Sequence, residues 1–232
     1  MPTYAIGDIH GCNRTFQALL GQLEPKRGDT LVLLGDLIDR GPDSRGVVDT
    51  VWHLQEASIQ VVCLRGNHEQ MLLDARNGPA EADRWHSIGG KATLESFSAK
   101  WVENIPDTYF QFFEAMPFWF ETRGFLCVHG GVDFSQTKPL DHPETLLWLR
   151  NWYGNIDYEW LGDRMLLHGH SPMPLSTITA QHVVLEEQRY LNLDNGCVYA
   201  LRRPRPSGLG HLLALCLETK KLFSQKCGEL GA

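Results

Sequence analysis

The sequence predicts an α/β fold containing parallel βαβ units, and three observations lead there. In the first third of the chain, short apolar runs alternate with segments whose apolar residues recur at helical spacing, as strands joined by crossover helices do. Beyond Phe118 the texture shifts to short strand-like runs punctuated by turn residues. The 232 residues, 43% hydrophobic and 21% charged, suit a single soluble domain spanning 1–232, with enough apolar content for a core without disulfides or a structural metal.

The elements follow in order. Met1 to Ile6 is a short strand. Asn13 to Glu24 sets Phe16, Leu19, Leu20 and Leu23 at i, i+3, i+4 and i+7, and Pro25 closes this helix. Thr30 to Leu34 is a buried strand, and Asp43 to Leu54 a helix that turns Val47, Val51 and Leu54 inward. Ile59 to Leu64 is the next buried strand, and Met71 to Ala75 sits in a further helix. Residues 78–117 are mixed and aromatic-rich, with a helix over Phe110 to Met116. Strands are then expected at Phe125–His129, Met165–His168, Ser176–Ile178, Val183–Glu186, Tyr190–Asp194, Val198–Leu201 and Leu212–Cys216. The basic stretch Arg202 to Gly208 reads as a hairpin tip.

Charge and composition narrow the partners. A net charge of −7 argues against general binding to nucleic acid or an acidic membrane surface. The longest clean apolar run, Leu212 to Leu217, is far short of the ~20 residues a membrane span needs. Met1 to Tyr4 leads straight into Gly7-Asp8 without a basic or apolar leader, so the expected location is the cytoplasm. Cys12, Cys63, Cys127, Cys197, Cys216 and Cys227 form no Cys-x-x-Cys pair, which reads as reduced core and loop thiols.

Two tempting motifs fail on spacing. Gly89-Gly90-Lys91 is followed by Ala92 and preceded by no strand, so it is not a phosphate loop. His68-Glu69 has Leu72 where a zincin needs its second histidine. What remains is a recurring pattern of polar, metal-competent residues at the ends of apolar strands, each beside a glycine. The segments are Gly7-Asp8-Ile9-His10-Gly11, Gly35-Asp36-Leu37-Ile38-Asp39-Arg40-Gly41, Arg65-Gly66-Asn67-His68-Glu69, His129-Gly130-Gly131 and His168-Gly169-His170-Ser171-Pro172. Strand C-termini of an α/β sheet open onto one edge, so residues scattered over the chain can converge there. Asp8, Asp36 and Asn67 offer hard oxygens, while His10, His129 and His170 offer imidazoles. This sulfur-free set favours manganese, iron or zinc in an open geometry. Six donors are too many for one ion that must leave room for water, whereas two ions about 3.5–4 Å apart fit.

These blocks, together with Arg65 to Met71 (RGNHEQM) and Leu-Trp-x-Arg at Leu147 to Arg150, resemble the phosphoprotein phosphatase branch of the calcineurin-like metallophosphoesterases. The resemblance runs from Gly7 to about Gly196, and is nearest to the short bacterial and phage enzymes. It implies two packed mixed β-sheets flanked by helices, a four-layer αββα sandwich. It also implies that Asp8 and His10 bind a first metal, that Asp36 bridges two, and that Asn67, His129 and His170 bind the second. His170 is taken over His168 because the family pattern is Gly-His-Ser/Thr-Pro. His68 is then the general acid, Asp39 orients it, and Arg40 and Arg150 hold the phosphate. The implied reaction is hydrolysis of phosphoserine or phosphothreonine in proteins, or of small phosphoesters, by a hydroxide bridging two divalent ions, manganese first.

Such a centre accommodates an anionic substrate despite the acidic chain. Two divalent ions set against Asp8, Asp36 and a hydroxide leave roughly one net positive charge, raised to roughly three by Arg40 and Arg150. Two other readings compete. Dinucleoside-tetraphosphate hydrolases of the same superfamily share Gly-Asp-x-His-Gly but typically lack the aspartate and glutamate found here as Asp39 and Glu69. A non-catalytic scaffold should have lost donors, and here all six and His68 are present.

Overall fold

The computed structural model describes residues 1–204 and 206–229. Its first third alternates as expected: β1 (Thr3–Ile6), α1 (Asn13–Leu23), β2 (Thr30–Leu33), α2 (Ser44–Glu56), β3 (Gln60–Cys63) and α3 (Asn67–Asp74). β1, β2 and β3 pair in parallel, with Thr3 opposite Thr30 and Thr30 opposite Gln60. α1 stops where Glu24 takes φ 47° and donates its N–H to the Leu20 carbonyl, and Pro25 has no N–H with which to continue. α2 starts on Asp43, whose carboxylate accepts the Gly46 N–H at 2.9 Å.

The aromatic-rich stretch folds as α4 (Pro79–Trp85), a π turn over His86–Gly90, α5 (Lys91–Ser96) and α6 (Asp107–Glu114). Next come β4 (Trp119–Thr122), β5 (Phe125–Val128), α7 (Pro143–Trp148), α8 (Tyr158–Leu161), β6 (Met165–His168), α9 (Leu175–Val183) and α10 (Leu185–Gln188). The chain closes with β7 (Tyr190–Asn192), β8 (Asp194–Asn195), β9 (His211–Cys216) and β10 (Leu222–Lys226). One sheet has the order β10-β9-β1-β2-β3 with β8 also on β9; the other has the order β4-β5-β6-β7. Both are mixed, since β9 runs antiparallel to β1, β8 and β10, and β4 antiparallel to β5.

Strand alternation sorts the side chains into layers. Tyr4 and Ile6, Leu31 and Leu33, and Leu212 and Ala214 face the helices that cover the first sheet. Ala5, Val32, Leu213 and Leu215 point the other way and meet Phe125, Cys127, Met165 and Leu167 of the second sheet in a common core. Leu126, Val128 and Leu166 pack outward against Trp152 and Leu161. Apolar residues on both faces of each strand are what a sheet buried on both sides requires. The architecture is therefore two mixed sheets face to face, flanked by helices.

Three expected strands are helical instead. Ser176–Ile178 lies inside α9, Val183–Glu186 straddles α9 and α10, and Val198–Leu201 belongs to a 3₁₀ helix over Cys197–Leu201. Such short runs rich in β-branched residues carry too few positions to separate the two periods. Context decides: the Pro174 carbonyl accepts the N–H groups of Thr177 and Ile178, and Val183 is left 78% exposed. Gly196, at φ 61°, turns the chain into the 3₁₀ helix. Conversely β4 and β10, with partly exposed faces, carry no continuous apolar run that would announce them. The basic stretch lies, after the 3₁₀ helix, in the long connection of the antiparallel β8–β9 hairpin; its Arg205 lies outside the described residues. No helix among the described residues is long and apolar enough to cross a membrane.

Candidate metal centre

Every donor predicted from the sequence sits just beyond the C-terminal end of a parallel strand. β1 leads into Asp8 and His10, β2 into Asp36, β3 into Asn67, β5 into His129 and β6 into His170. The turns that bring them together are sharp. His10, Asp36, Asp39, Arg40 and His170 all hold positive φ, between 48° and 72°, a region sparsely populated for non-glycine residues and concentrated at functional sites.

Asp36 is the hub. Its Oδ1 lies 3.3 Å from His129 Nε2, and its Oδ2 lies 3.5 Å from His10 Nε2 and 3.9 Å from His68 Nε2. Asn67 Oδ1 meets His129 Nε2 at 3.0 Å, and both Asp8 oxygens accept the His170 N–H at 3.1 Å. Donor atoms of Asp36, His129 and His170 fall within 4.8 Å of one another, as do those of His10, Asp36 and His68.

The electrostatics suit cations. Burial pushes the Asp36 carboxyl up, but on acidification the surrounding imidazoles of His129, His68, His10 and His170 take protons before Asp36 does, and their charge then holds its carboxyl well below the carboxylate range. Burial drives Asp8 well up, and the Asp194 and Asp36 carboxylates drive it further. Burial likewise keeps His10, His129 and His170 in their neutral, electron-donating form. His10 and His129 each point Nδ1 at a backbone carbonyl, of Ile38 at 2.9 Å and Leu34 at 2.8 Å, which turns Nε2 toward the site, where that of His10 meets the Arg40 guanidinium. Buried carboxylates that repel one another, neutral imidazoles fixed in tautomer, and a partnerless buried Nε2 on His170 together fit a pair of divalent ions.

His168 does not join. Its Nδ1 contacts the Gly169 carbonyl at 2.9 Å and its Nε2 the Tyr153 hydroxyl at 3.0 Å. The left-handed turn at His170 breaks the extended geometry that would have placed both rings on one side. Arg65 also lies apart, bonded to Gln70 and the Glu114 carbonyl and stacked over Phe118.

His68 and Asp39 form a tight pair, Nδ1 to Oδ2 at 2.7 Å, with side chains 1% and 0% exposed. Asp39 also accepts the Trp85 indole N–H at 2.8 Å and the Thr93 hydroxyl at 2.6 Å. Burial alone would lower the His68 pKa, but the Asp36 and Asp39 carboxylates outweigh it and raise the group above its ordinary value. Arg40 donates to His10 Nε2 at 2.7 Å on one flank, while Arg150 donates to the His170 carbonyl at 2.6 Å on the other.

Sequence reasoning missed the supports of this site. Glu69 accepts the N–H groups of Asp36 at 3.0 Å, Leu37 at 2.8 Å and Gly66 at 2.8 Å, so it braces the loop that presents Asp36. Asp194, which burial pushes up to about 7, faces the same cluster from the start of β8. Asn192 to Gly196 repeats the strand-end pattern of a polar residue beside a glycine, a signal that could have found it. No local signal marks Trp85 or Thr93 as anchors of Asp39, because their distance from it closes only in the fold.

Gly169 offers a test of the placement. A Cβ there would lie 2.0 Å from Asp8 Oδ1. Gly169→Ala is expected to displace that carboxylate and weaken metal binding about 10–100-fold, the size of effect seen when groups supporting a ligand are disturbed. Metal titration with a competing chelator reads this directly, and an unchanged affinity would remove Asp8 from the donor set.

Comparison with known proteins agrees with this geometry. A family-wide sequence model described as calcineurin-like phosphoesterase matches residues 1–211. The chain is 27% identical over 98% of its length to a symmetrical bis(5'-nucleosyl)-tetraphosphatase of Chromobacterium violaceum, covering 96% of that protein. It is 45% identical over 91 residues to serine/threonine-protein phosphatase 1 of Salmonella typhimurium, an alignment covering 38% of each chain. Among solved structures, one described provisionally as a diadenosine tetraphosphatase superposes with TM-score 0.67 at 22% identity, over 97% of this chain and 93% of that one. A Saccharomyces cerevisiae protein serine/threonine phosphatase superposes with TM-score 0.64 at 14% identity, over 97% and 80%.

Proposed function

The chain belongs to the calcineurin-like phosphoesterase family, and from that premise we propose a metal-dependent phosphomonoesterase that hydrolyses phosphoserine and phosphothreonine in proteins. Asp8, His10, Asp36, Asn67, His129 and His170 would hold two divalent ions, manganese before iron or zinc, in the cytoplasm. When bound, the ions supply positive charge at the phosphoryl oxygens and acidify a water. Arg40 and Arg150, on opposite flanks, orient the phosphoryl group. His68 delivers a proton to the leaving oxygen, and Asp39 fixes its ring and favours its cationic form.

The His68–Asp39 pair carries this reading. A serine alkoxide is strongly basic and cannot leave without a proton, whereas a nucleoside diphosphate departs readily without one. A buried acid whose partner Asp39 is seated by Trp85 and Thr93 is therefore matched to a monoester. The surroundings support the same choice. Beside His170, whose ring centre is 6.1 Å from that of Trp148, a cleft of about 410 Å³ is lined by Asp74, Glu81, Glu144, Arg84 and Trp148. Its three carboxylates favour basic residues flanking a phosphoserine and disfavour a polyanionic tetraphosphate. The second reading, a dinucleoside tetraphosphatase, is favoured by the long alignment with the Chromobacterium violaceum protein.

Turnover of a basic-flanked phosphoserine peptide, nitrophenyl phosphate and diadenosine tetraphosphate by the manganese-reconstituted chain separates the two. The peptide is expected to have the highest kcat/KM, and a tenfold preference for the dinucleotide would reverse the assignment. Arg150→Ala should retain its metals yet bind inhibitory free phosphate about 10- to 150-fold more weakly, as loss of a charge-assisted contact of about 1.5–3 kcal/mol implies. Unchanged phosphate inhibition would return Arg150 to an ordinary surface role.

A further inference from the structure

The six cysteines are scattered in sequence, yet three of them meet. Cys12 caps the N-terminus of α1, Cys197 opens the 3₁₀ helix after Gly196, and Cys227 follows β10. Their Sγ atoms all lie within 4.8 Å of one another. Cys12 and Cys197 are buried, while Cys227 is half-buried at the surface side of the group.

The backbone around Cys227 is held in place. Its N–H donates to the Gly210 carbonyl at 2.9 Å, and the Gly228 N–H donates to Thr15 Oγ1 at 2.9 Å. Glu229 then accepts the Thr15 N–H at 2.8 Å and its hydroxyl at 2.9 Å. Two helix starts and the segment after β10 thus bring three sulfurs to one point at the edge of the apolar core, where Cys12 and Cys197 are buried and Cys227 packs against them.

We propose that Cys12, Cys197 and Cys227 form a three-thiolate site for a thiophilic d¹⁰ cation, zinc(II), separate from the oxygen- and imidazole-lined centre. With Zn–S bonds of about 2.3 Å, a tetrahedral ion spans its sulfurs at roughly 3.8 Å, compatible with the observed grouping. Soft sulfur donors select such an ion, whereas the sulfur-free centre at Asp36 does not. Coordination displaces the thiol protons to buffer, and Cys227 at the surface provides the path of entry. A disulfide would employ two of the three sulfurs and leave the third unexplained. The bound ion would tie the segment after β10 to Cys12, and so to the loop that carries Asp8 and His10.

Cadmium is the probe, because only sulfur ligation gives an ultraviolet sulfur-to-cadmium charge-transfer band. Titrating cadmium into the reduced, manganese-loaded chain should produce this band with one equivalent, and zinc should displace it. Cys227→Ser, at the half-buried position outside the catalytic machinery, should lose the band while keeping its manganese-dependent turnover and its circular dichroism spectrum. Cys63→Ser, in the core elsewhere, should keep it. Absence of the band in the parent chain, or its persistence undiminished in Cys227→Ser, would overturn the site. So would parent protein that takes up no cadmium once reduced but closes a Cys12–Cys227 or Cys197–Cys227 disulfide with oxidised glutathione.

Discussion

Asp36→Asn is expected to lower turnover of every phosphoester roughly 10³-fold or more, since several kcal/mol of charge stabilisation at about 1.4 kcal/mol per decade is at stake. The side chain keeps its shape but loses the charge that faces His10, His68 and His129 at 3.3 to 3.9 Å. This carboxylate sits among four imidazoles, and the amide removes the one anionic group common to both donor clusters. Asp8→Asn leaves both clusters with their carboxylate, since Asp8 accepts the His170 N–H from outside them, and should cost less. Metal analysis after gel filtration checks the cause: the Asp36 variant should retain fewer ions than the parent. Two retained ions with full activity would dismiss Asp36 as a shared ligand.

His68→Asn should divide substrates rather than silence all of them. Asparagine keeps a polar side chain of similar reach but cannot deliver a proton. The expected cost is ~10²–10⁴-fold in kcat on phosphoserine peptides and distinctly less on nitrophenyl phosphate, whose leaving group needs no protonation. Asp39→Asn should show the same asymmetry in milder form, because the ring loses the carboxylate 2.7 Å away that favours its cation. Both variants should bind two metals. Equal losses on the two substrates at saturating manganese would assign His68 to metal or phosphate binding instead.

The strand ends were legible because they require a visible combination. An apolar run must stop, a glycine must let the backbone turn, and a polar residue must follow. Gly66 shows the need, since a Cβ there would lie 2.2 Å from Asp36 Oδ1. The choice between His168 and His170 was legible only through resemblance, and the structure separates them by a left-handed turn that spacing does not encode. Glu69 stood inside a quoted motif, but two of its backbone partners, Asp36 and Leu37, come from a different loop. The helices α9 and α10 do not show in the sequence because runs of three or four residues of mixed β-branched character satisfy either period.

By itself, then, the sequence determined the alternating strand–helix start, the donors that could reach a common edge, and the sulfur-free chemistry of that edge. These depend on local chemistry: side-chain period, glycine turns and the hardness of a ligand atom. Tertiary structure alone decided that Trp85 and Thr93 seat Asp39, that Asp194 joins the buried carboxylates, and that Cys12, Cys197 and Cys227 meet. Those contacts join residues 30 to 215 positions apart. Their proximity is set by how two sheets and their helices pack, because packing brings distant residues together without leaving a periodic mark in the chain.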